Sequence, residues 1–412
     1  MTQKITDVSS DENLHVGAAT HANVFRLRTP KNKTWNVAYF LNCGSLDGQE
    51  LIHQLLLVIT CCHLAGFWVL CIVSDAGGGN KGLVALLTKG KSNRIGPGLP
   101  DKIKISFKNP MSPELVIFIV FCAVHGLKNM RNQLYAGRVG GPRRLTNNGD
   151  IIEWERLVSL WTFLEQDTND RSVRKLRKVT KNVVIIDSFS SMKNVSHAKV
   201  PFEEDTIVFQ CALLAKKMNC DNGIFDDVKT EFEGMIGCHS EILQKKVDIL
   251  KEVVSNSLNQ DFKNEMAQIE FAMAVHMIFI SRFLNKNARL VLTEDRETRD
   301  RVMCLNVIEE RKRMTKYIGY FDSWKKWLDQ EKNPKNTHTP ETWGVDKWER
   351  LFISTITITN LKICISGFLS YAEYVLTSNP QITFVPYLHA NQSSLESFFS
   401  GVRATHLTEI HR

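Results

Sequence analysis

The amino-acid sequence predicts an α/β fold that is interrupted by a long, mainly α-helical region. Residues 1–125 alternate between short strand-like runs and helical patterns. Residues 151–375, in contrast, have helical apolar spacing almost throughout. After residue 380 an extended run and a further helix follow, so α/β sequence flanks the helical region on both sides.

The first α/β segment begins with a predicted β-hairpin. Residues 23–28 and 34–41 form alternating or apolar runs, and Pro30 lies in the polar turn between them. Asp47 is placed to cap a helix over residues 48–65. The other predicted elements are a strand at 67–74, a helix at 80–88, a buried strand at 115–122 and a basic helix through His125 and Arg131.

The Gly-, Pro- and Asn-rich residues 137–150 mark the predicted boundary between the α/β segment and the helical region. Amphipathic helices are predicted within the helical region at residues 154–164, 206–218, 241–257 and 265–284. Residues 331–341 form a loop that divides this region. An extended segment at 381–387 and a last helix at 391–403 complete the prediction.

The composition is that of a globular chain and excludes disorder as the main state. The 412 residues are 43% apolar and 23% charged, which is enough apolar sequence for a sizeable core. The 52 Lys and Arg residues against 44 Asp and Glu residues give a net charge of +8. This basic excess permits a polyanionic partner such as nucleic acid.

The ten cysteines and the uncharged run 51–73 bear on compartment and membrane association. The cysteines lie mostly within apolar runs and form no Cys-x-x-Cys pair, so no zinc finger is predicted. The first residues are polar, so we expect no secretory signal and a reducing compartment. The run 51–73 has the length of a membrane span, but His53, His63 and Gly66 within it favour a helix, a turn and a buried strand. We therefore expect no membrane association.

Two candidate ligand sites follow the predicted strand at 67–74. Gly77, Gly79 and Gly82 have the spacing of a dinucleotide-binding loop, which would bind NAD, although Asp75 would crowd a pyrophosphate there. Asp75 itself follows a strand, where a carboxylate is suited to binding a divalent metal. The alternative for Asp75 is a side chain that caps the following turn.

Two basic clusters are candidate phosphate contacts. Lys128 and Arg131 lie three residues apart on the predicted basic helix. The second cluster consists of Arg171, Arg174, Lys175, Arg177, Lys178 and Lys181. Apolar residues at intervals of three within it predict a helix whose positive face would contact a DNA backbone. The alternative for both clusters is a solvated charged face.

The predicted last helix carries an acidic residue beside its apolar face. The apolar residues of that face are Leu395, Phe398, Phe399 and Val402. Glu396 lies on the adjoining edge near the start of the helix. Taken alone, this pattern is typical of an amphipathic helix with a solvated glutamate.

Three segments, in this order, resemble the P-element-type DNA transposases, the THAP-domain transposase family. They are residues 72–80 (IVSDAGGGN), residues 121–132 (FCAVHGLKNMRN) and residues 391–403, which read Asn-Gln-x-x-Leu-Glu-x-Phe-Phe-x-x-x-Arg. The resemblance spans nearly the whole chain. It implies an RNase H-like α/β core formed by residues 1–135 and 380–412, interrupted by a large, mainly helical insertion domain of the GTP-binding type at residues 136–379.

The resemblance also implies a chemistry. In the family, three acids bind Mg²⁺ ions that cut and join DNA by in-line displacement. Asp75 matches the second acid, Glu396 matches the third, and Lys128 matches a position that helps to hold GTP. We therefore expect DNA as a partner, a guanine nucleotide as a possible ligand, a possible homo-oligomer and a nuclear location.

Several positions depart from the family pattern. The family's first acid lies just before the position of Met1, so we expect that acid and the N-terminal zinc-binding THAP domain to be missing. Ser393 and Cys122 stand where the family has acids, and no Gly-x-x-x-x-Gly-Lys-Ser/Thr loop occurs. We therefore expect a truncated or domesticated transposase without strand transfer. The alternative is a non-catalytic DNA- or partner-binding regulatory protein.

Overall fold

The fold is mixed α/β, mainly helical, with four small sheets in the described part of the chain. The computed structural model describes residues 21–30, 33–88, 104–166, 195–218, 239–292, 303–392, 395–397 and 399. The chain divides into two compact units. The first contains residues up to Trp68 together with Gly77–Leu87, and the second contains Val69–Ala76 and the residues from Thr88 onward.

The first unit is a β-hairpin with two helices. Strands β1 (His21–Arg28) and β2 (Thr34–Asn42) pair antiparallel, and helices α1 (Gly48–Leu64) and α2 (Gly78–Thr88) follow along the chain. The Asp47 carboxylate accepts a hydrogen bond from the amide of Glu50 (2.9 Å), and the Glu50 carboxylate accepts one from the amide of Asp47 (3.0 Å). The predicted hairpin and the Asp47-capped helix are therefore confirmed.

Close packing of residues 46–48 against α2 explains Gly79 of the predicted dinucleotide loop and the glycine at position 48. A Cβ atom on Gly48 would lie 2.4 Å from the carbonyl carbon of Gly82. A Cβ atom on Gly79 would lie 2.5 Å from the carbonyl oxygen of Leu46. These distances are too short for any side chain, so glycine is required where the two backbones meet.

The second unit contains a three-stranded sheet that includes two of the predicted strands. Strand β3 (Cys71–Ser74) pairs parallel with β5 (Ser112–Phe121), β4 (Ser106–Asn109) pairs antiparallel with the other edge of β5, and helix α3 (Ala123–Ala136) follows β5. The predicted strand at 115–122 and the basic helix are confirmed. The four-residue β4 was not predicted, because it is too short to show a period.

The predicted strand at 67–74 is confirmed only for its last four residues. Gly66 has a left-handed backbone (φ +81°), and the amide of Phe67 donates to the carbonyl of Cys62 (2.8 Å). This is the usual way in which a glycine ends a helix, so Phe67 completes the C-terminus of α1 instead of entering a sheet.

The part of the helical region between residues 151 and 331 contains six further α-helices among its described residues. These are α4 (Glu155–Gln166), α5 (Val195–Lys199), α6 (Glu204–Lys217), α7 (His239–Ser255), α8 (Gln260–Val275) and α9 (Val307–Glu331). Helix α8 continues directly as the π-helix His276–Phe283, so the predicted helix at 265–284 is confirmed with a local change in its winding. The other predicted helices of this region are also confirmed.

Two small sheets in this part of the chain were not predicted. Strands β6 (Leu145–Asn147) and β7 (Asp150–Ile152) form a hairpin inside the segment interpreted as a loop. Its turn residues Asn148 (φ +53°) and Gly149 (φ +91°) are the pair that a two-residue hairpin turn favours. The other sheet has the order β10-β8-β9, formed by Ala288–Val291 (β8), Met303–Asn306 (β9) and Val385–Pro386 (β10).

Helix α10 (Thr355–Ser378) covers the β3–β5 sheet. A Cβ atom on Gly367 would lie 1.9 Å from the carbonyl oxygen of Ile119, so this glycine lets the helix backbone lie directly on β5. The Phe118 ring packs against Tyr374, with ring centroids 5.5 Å apart. The strands that precede the candidate site are thus held by a buried helix. The predicted division into residues 1–135, 136–379 and 380–412 stays a prediction.

One continuous helical stretch of the described chain, Gln260–Phe283, is long and apolar enough to cross a membrane. The bent pair Pro340–Arg350 and Thr355–Ser378 passes the same test together. In Gln260–Phe283, 89% of the most apolar window is buried inside the protein, as in the core helix of a globular domain.

Candidate functional site

The candidate site lies where β3 and β5 end. Because these strands are parallel, their carboxyl ends meet at one edge of the sheet, which is where α/β proteins commonly bind ligands. Asp75 follows β3 directly and Cys122 follows β5. The amide of Cys122 donates to the carbonyl of Ser74 (2.7 Å), which keeps the two strand ends together.

A segment from far along the chain returns to these strand ends. The side-chain amide of Gln392 donates to the carbonyl of Val73 (3.2 Å), and its backbone amide donates to the Cys122 sulfur (3.4 Å). The amide of Glu396 in turn donates to the carbonyl of Gln392 (3.0 Å) in the first turn of the last helix. Gln392 therefore fixes the segment that carries Glu396.

The Glu396 carboxylate meets two side chains of α3. Its Oε1 atom lies 3.2 Å from Lys128 Nζ and 3.4 Å from His125 Nε2. His125 and Lys128 are three residues apart and so project from one face of the helix. The side chain of Glu396 is 38% exposed and that of Lys128 is 13% exposed, so the pair sits at the rim of the protein.

Burial and neighbouring charges shift two titratable groups here. Burial is the main cause that lowers the pKa of His125, and Lys128 lowers it further, while Glu396 and Asp75 act in the opposite direction. Burial raises the pKa of the Cys122 thiol, and the nearby Glu396 adds to that effect. Near neutral pH the site thus contains a neutral imidazole and a protonated thiol.

The described residues do not fit the metal pair that the resemblance implies. No group of three or more His, Cys, Asp or Glu side chains in the described ranges is arranged to hold a metal ion. Lys128 lies within ion-pair distance of the oxygen that Glu396 would offer to Mg²⁺. The same contact occupies the Lys128 ammonium group, the predicted partner of a nucleotide.

The structure brings some of the predicted site residues together and corrects the interpretation of one of them. Glu396 and Lys128 are in direct contact, and Asp75 is close enough to influence the pKa of His125. Arg131 is only 1% exposed and donates to the side chain of Asn132 (2.9 Å), so the interpretation of Arg131 as a phosphate contact is wrong.

The predicted DNA-binding residues Arg171, Arg174, Lys175, Arg177, Lys178 and Lys181 lie outside the described residues, as does Ser393. His125 and Gln392 were not predicted as site residues. The signal for His125 was its spacing of three from Lys128, and the signal for Gln392 was the Asn-Gln pair four residues before Glu396.

No protein-family model and no curated protein matches this chain. Among solved structures, the chain is similar to one described as the Drosophila P element transposase strand transfer complex, with a TM-score of 0.53 and 14% sequence identity. The match covers 93% of this chain and 65% of that chain. The fold is therefore similar to that of a transposase, as the sequence predicted.

Proposed function

We propose that this chain is a transposase-like DNA-binding protein that does not cut or join DNA in the arrangement described. The proposal combines two parts. DNA binding is supported by the fold likeness to a transposase and by the net charge of +8. The absence of cleavage rests on the contact between Glu396 and Lys128.

The contact of Glu396 with Lys128 is the single observation that carries the second part. A catalytic metal requires several carboxylate oxygens that converge on one point. The Glu396 carboxylate instead faces an ammonium group at 3.2 Å, with an imidazole nitrogen at 3.4 Å. A divalent metal would be repelled by the Lys128 charge, so the cluster acts as an internal ion pair in place of a metal site.

The positive segment Arg171–Lys181 would supply the DNA contacts. Each basic residue that neutralises a phosphate releases a counterion, which makes the affinity fall steeply with salt. The DNA partner in this proposal is duplex DNA bound through its backbone. The guanine nucleotide, the homo-oligomer and the nuclear location stay predictions from the resemblance.

The first experiment measures binding of the full chain to a fluorescent DNA duplex at several salt concentrations. We expect log Kobs to fall linearly with log salt, with a slope of about −0.9 for each phosphate that is neutralised. Arg174→Glu is expected to weaken binding and to make that slope shallower. Lys312→Glu is the matched control, because Lys312 is exposed on α9 and the substitution changes the net charge equally. Equal loss in both variants, or no binding by the parent, would overturn the DNA-binding part.

The second experiment incubates the same duplex with the protein and Mg²⁺ and follows nicked and joined products. We expect none from the parent chain, and none from Asp75→Asn or Glu396→Gln. Cleavage by the parent that either substitution abolishes would reject the non-catalytic part and leave DNA binding intact. The two parts of the proposal therefore fail in separate experiments.

A further inference from the structure

One face of the β1–β2 hairpin in the first unit is apolar and exposed. Trp35, Val37, Tyr39 and Leu41 alternate along β2, so their side chains project from the same face, and each is between 42% and 73% exposed. Their neighbours on this face of β1 are Ala22, Val24 and Leu27, which pair in register with Leu41, Tyr39 and Trp35. All seven of these strand residues are uncharged.

The opposite face of the hairpin is covered by α1. Gln54 on that helix donates to Asn42 Oδ1 (3.2 Å) and accepts a hydrogen bond from Asn23 Nδ2 (3.0 Å). The Phe25 and Phe40 rings pack against each other on this covered face, with centroids 5.7 Å apart. An antiparallel sheet with one covered face commonly has polar residues on the other face, whereas this hairpin has apolar residues on both. The second apolar face is therefore explained by a partner that packs against it.

The area of the exposed face is sufficient for a small protein interface. The Phe67 ring extends the face beside Trp35, with ring centroids 6.2 Å apart. Since a large aromatic side chain has about 150–250 Å² of surface, the exposed fractions of Phe67 and of the four β2 residues amount to about 500 Å². Two such faces packed together bury roughly 1,000 Å², which is the lower limit for a specific interface and is typical of a weak complex.

The composition of the face favours a second copy of this chain as the partner. A face without charged strand residues has no group that would bind a phosphate, and it meets its own copy without repulsion between like charges. A two-fold axis beside Ala38, perpendicular to the strands, places Tyr39 of one copy on Val37 of the other and Trp35 on Leu41. Each large side chain thus meets a smaller one, as close packing of two sheets requires.

We propose that the protein forms a symmetric homodimer in which the exposed hairpin faces of two copies pack against each other. A two-stranded hairpin is marginally stable by itself, so the second layer also stabilises the first unit. The interface is isologous, because both copies use the same residues. The proposal rests on this face alone and does not depend on DNA binding or on the Glu396 site.

The test is sedimentation velocity of the full chain without DNA, over protein concentrations of about 1–200 μM. We expect a monomer–dimer equilibrium with a Kd between about 1 and 100 μM, because the interface is small. A parent chain that stays monomeric at about 200 μM would mean that something other than a second copy covers the face, and it would overturn the proposal.

A pair of matched variants tests which surface is used. Tyr39→Glu buries an unpaired charge in the interface, so we expect at least about tenfold weaker dimerisation and a parent-like circular dichroism spectrum. Leu57→Glu makes the same change of charge at a residue of α1 that is 54% exposed, and we expect parent-like dimerisation there. Dissociation by Leu57→Glu, or parent-like dimerisation of Tyr39→Glu, would contradict the assignment of the interface to the hairpin face.

A mixing experiment separates loss of the interface from misfolding. Val37→Lys alone is expected to dimerise as weakly as Tyr39→Glu, because it also buries an unpaired charge. In a mixture of the two variants, Glu at position 39 of one copy faces Lys at position 37 of the other, so we expect association at least about tenfold tighter than that of either variant alone. Misfolded variants would not recover in this way, and a mixture that stays monomeric would overturn the proposed two-fold arrangement.

Discussion

Two carboxylates of the second unit, Glu310 and Glu396, both contact cations but differ in burial. Glu310 on α9 is fully buried and accepts hydrogen bonds from Arg282 Nε (2.6 Å) and from the Tyr387 hydroxyl (3.0 Å). Arg282 also donates to Glu241 (2.8 Å), and burial of the Tyr387 hydroxyl, together with the nearby Glu310 charge, raises its pKa. This buried network joins the π-helix, α9 and the segment that follows β10.

Glu396 has the same kind of partners in a different environment. Its side chain is 38% exposed, and its Oε1 atom lies within 3.4 Å of both Lys128 Nζ and His125 Nε2. Removing one partner of a buried ion pair lowers the free energy of unfolding by several kcal/mol. An exposed ion pair is screened by water and contributes at most about 1 kcal/mol. The comparison teaches that the Glu310 network holds the fold, whereas the Glu396 ion pair contributes little to the free energy of unfolding.

The largest effect is expected from breaking the buried network. Glu310→Ala leaves the Arg282 charge buried without its main counterion, so we expect the free energy of unfolding to fall by about 3–5 kcal/mol. The measurement is urea denaturation followed by circular dichroism.

Glu309→Ala is the control for the buried network, because Glu309 is the exposed neighbour on α9 and its carboxylate pairs with the exposed Lys312 (3.0 Å). We expect a change of less than about 0.5 kcal/mol in that variant. A similar loss of unfolding free energy in Glu310→Ala and Glu309→Ala would show that the buried network stabilises the fold no more than an exposed ion pair does.

A smaller effect is expected where α10 supports the strands of the Glu396 site. Gly367→Ala would place a methyl group 1.9 Å from the carbonyl oxygen of Ile119, so we expect a loss of about 2–3 kcal/mol in the free energy of unfolding. Gly319→Ala on α9 meets no atom within 4 Å, and there we expect a gain of about 0.5–1 kcal/mol. Thermal denaturation of both variants checks the two signs, and a stable Gly367→Ala protein would refute the close packing.

The smallest effect concerns pH. Because the pKa of His125 is lowered from 6.5 in the folded protein, the unfolded chain binds a proton first as the pH falls below about 6.5. The stability contributed by His125 is therefore present above that pH and is lost on acidification toward the lowered folded pKa. We expect the Tm of the parent to fall more steeply than that of His125→Gln between about pH 7 and pH 5. Parallel Tm profiles would show that the imidazole is no more buried than a surface histidine.

The sequence predicted the elements whose signals are local. The cap at Asp47, the hairpin on either side of Pro30 and the position of Asp75 after a strand all depend on neighbouring residues, and the structure confirms them. The turn at Asn148 and Gly149 was also a local signal, but the glycines and the proline of residues 137–142 obscured the two three-residue strands.

What the sequence did not predict depends on contacts between distant residues. The burial of Arg131 cannot be inferred from its position on a basic helix, because burial is decided by what packs against that helix. Likewise, the contact between Lys128 and Glu396 joins residues separated by 268 positions, and no periodic pattern reports such a pair. The resemblance marked both residues, but their pairing with each other came from the structure.

The separation of 268 residues between Lys128 and Glu396 also affects the chain while it is being synthesised. Lys128 leaves the ribosome long before Glu396, and at about 5–20 residues per second the interval is roughly 13–54 seconds. During that interval Val73 and Cys122, at the strand ends, lack the hydrogen bonds that Gln392 donates to them in the folded protein. The contact between Lys128 and Glu396 can therefore form only after the helical region that separates the two residues has been translated.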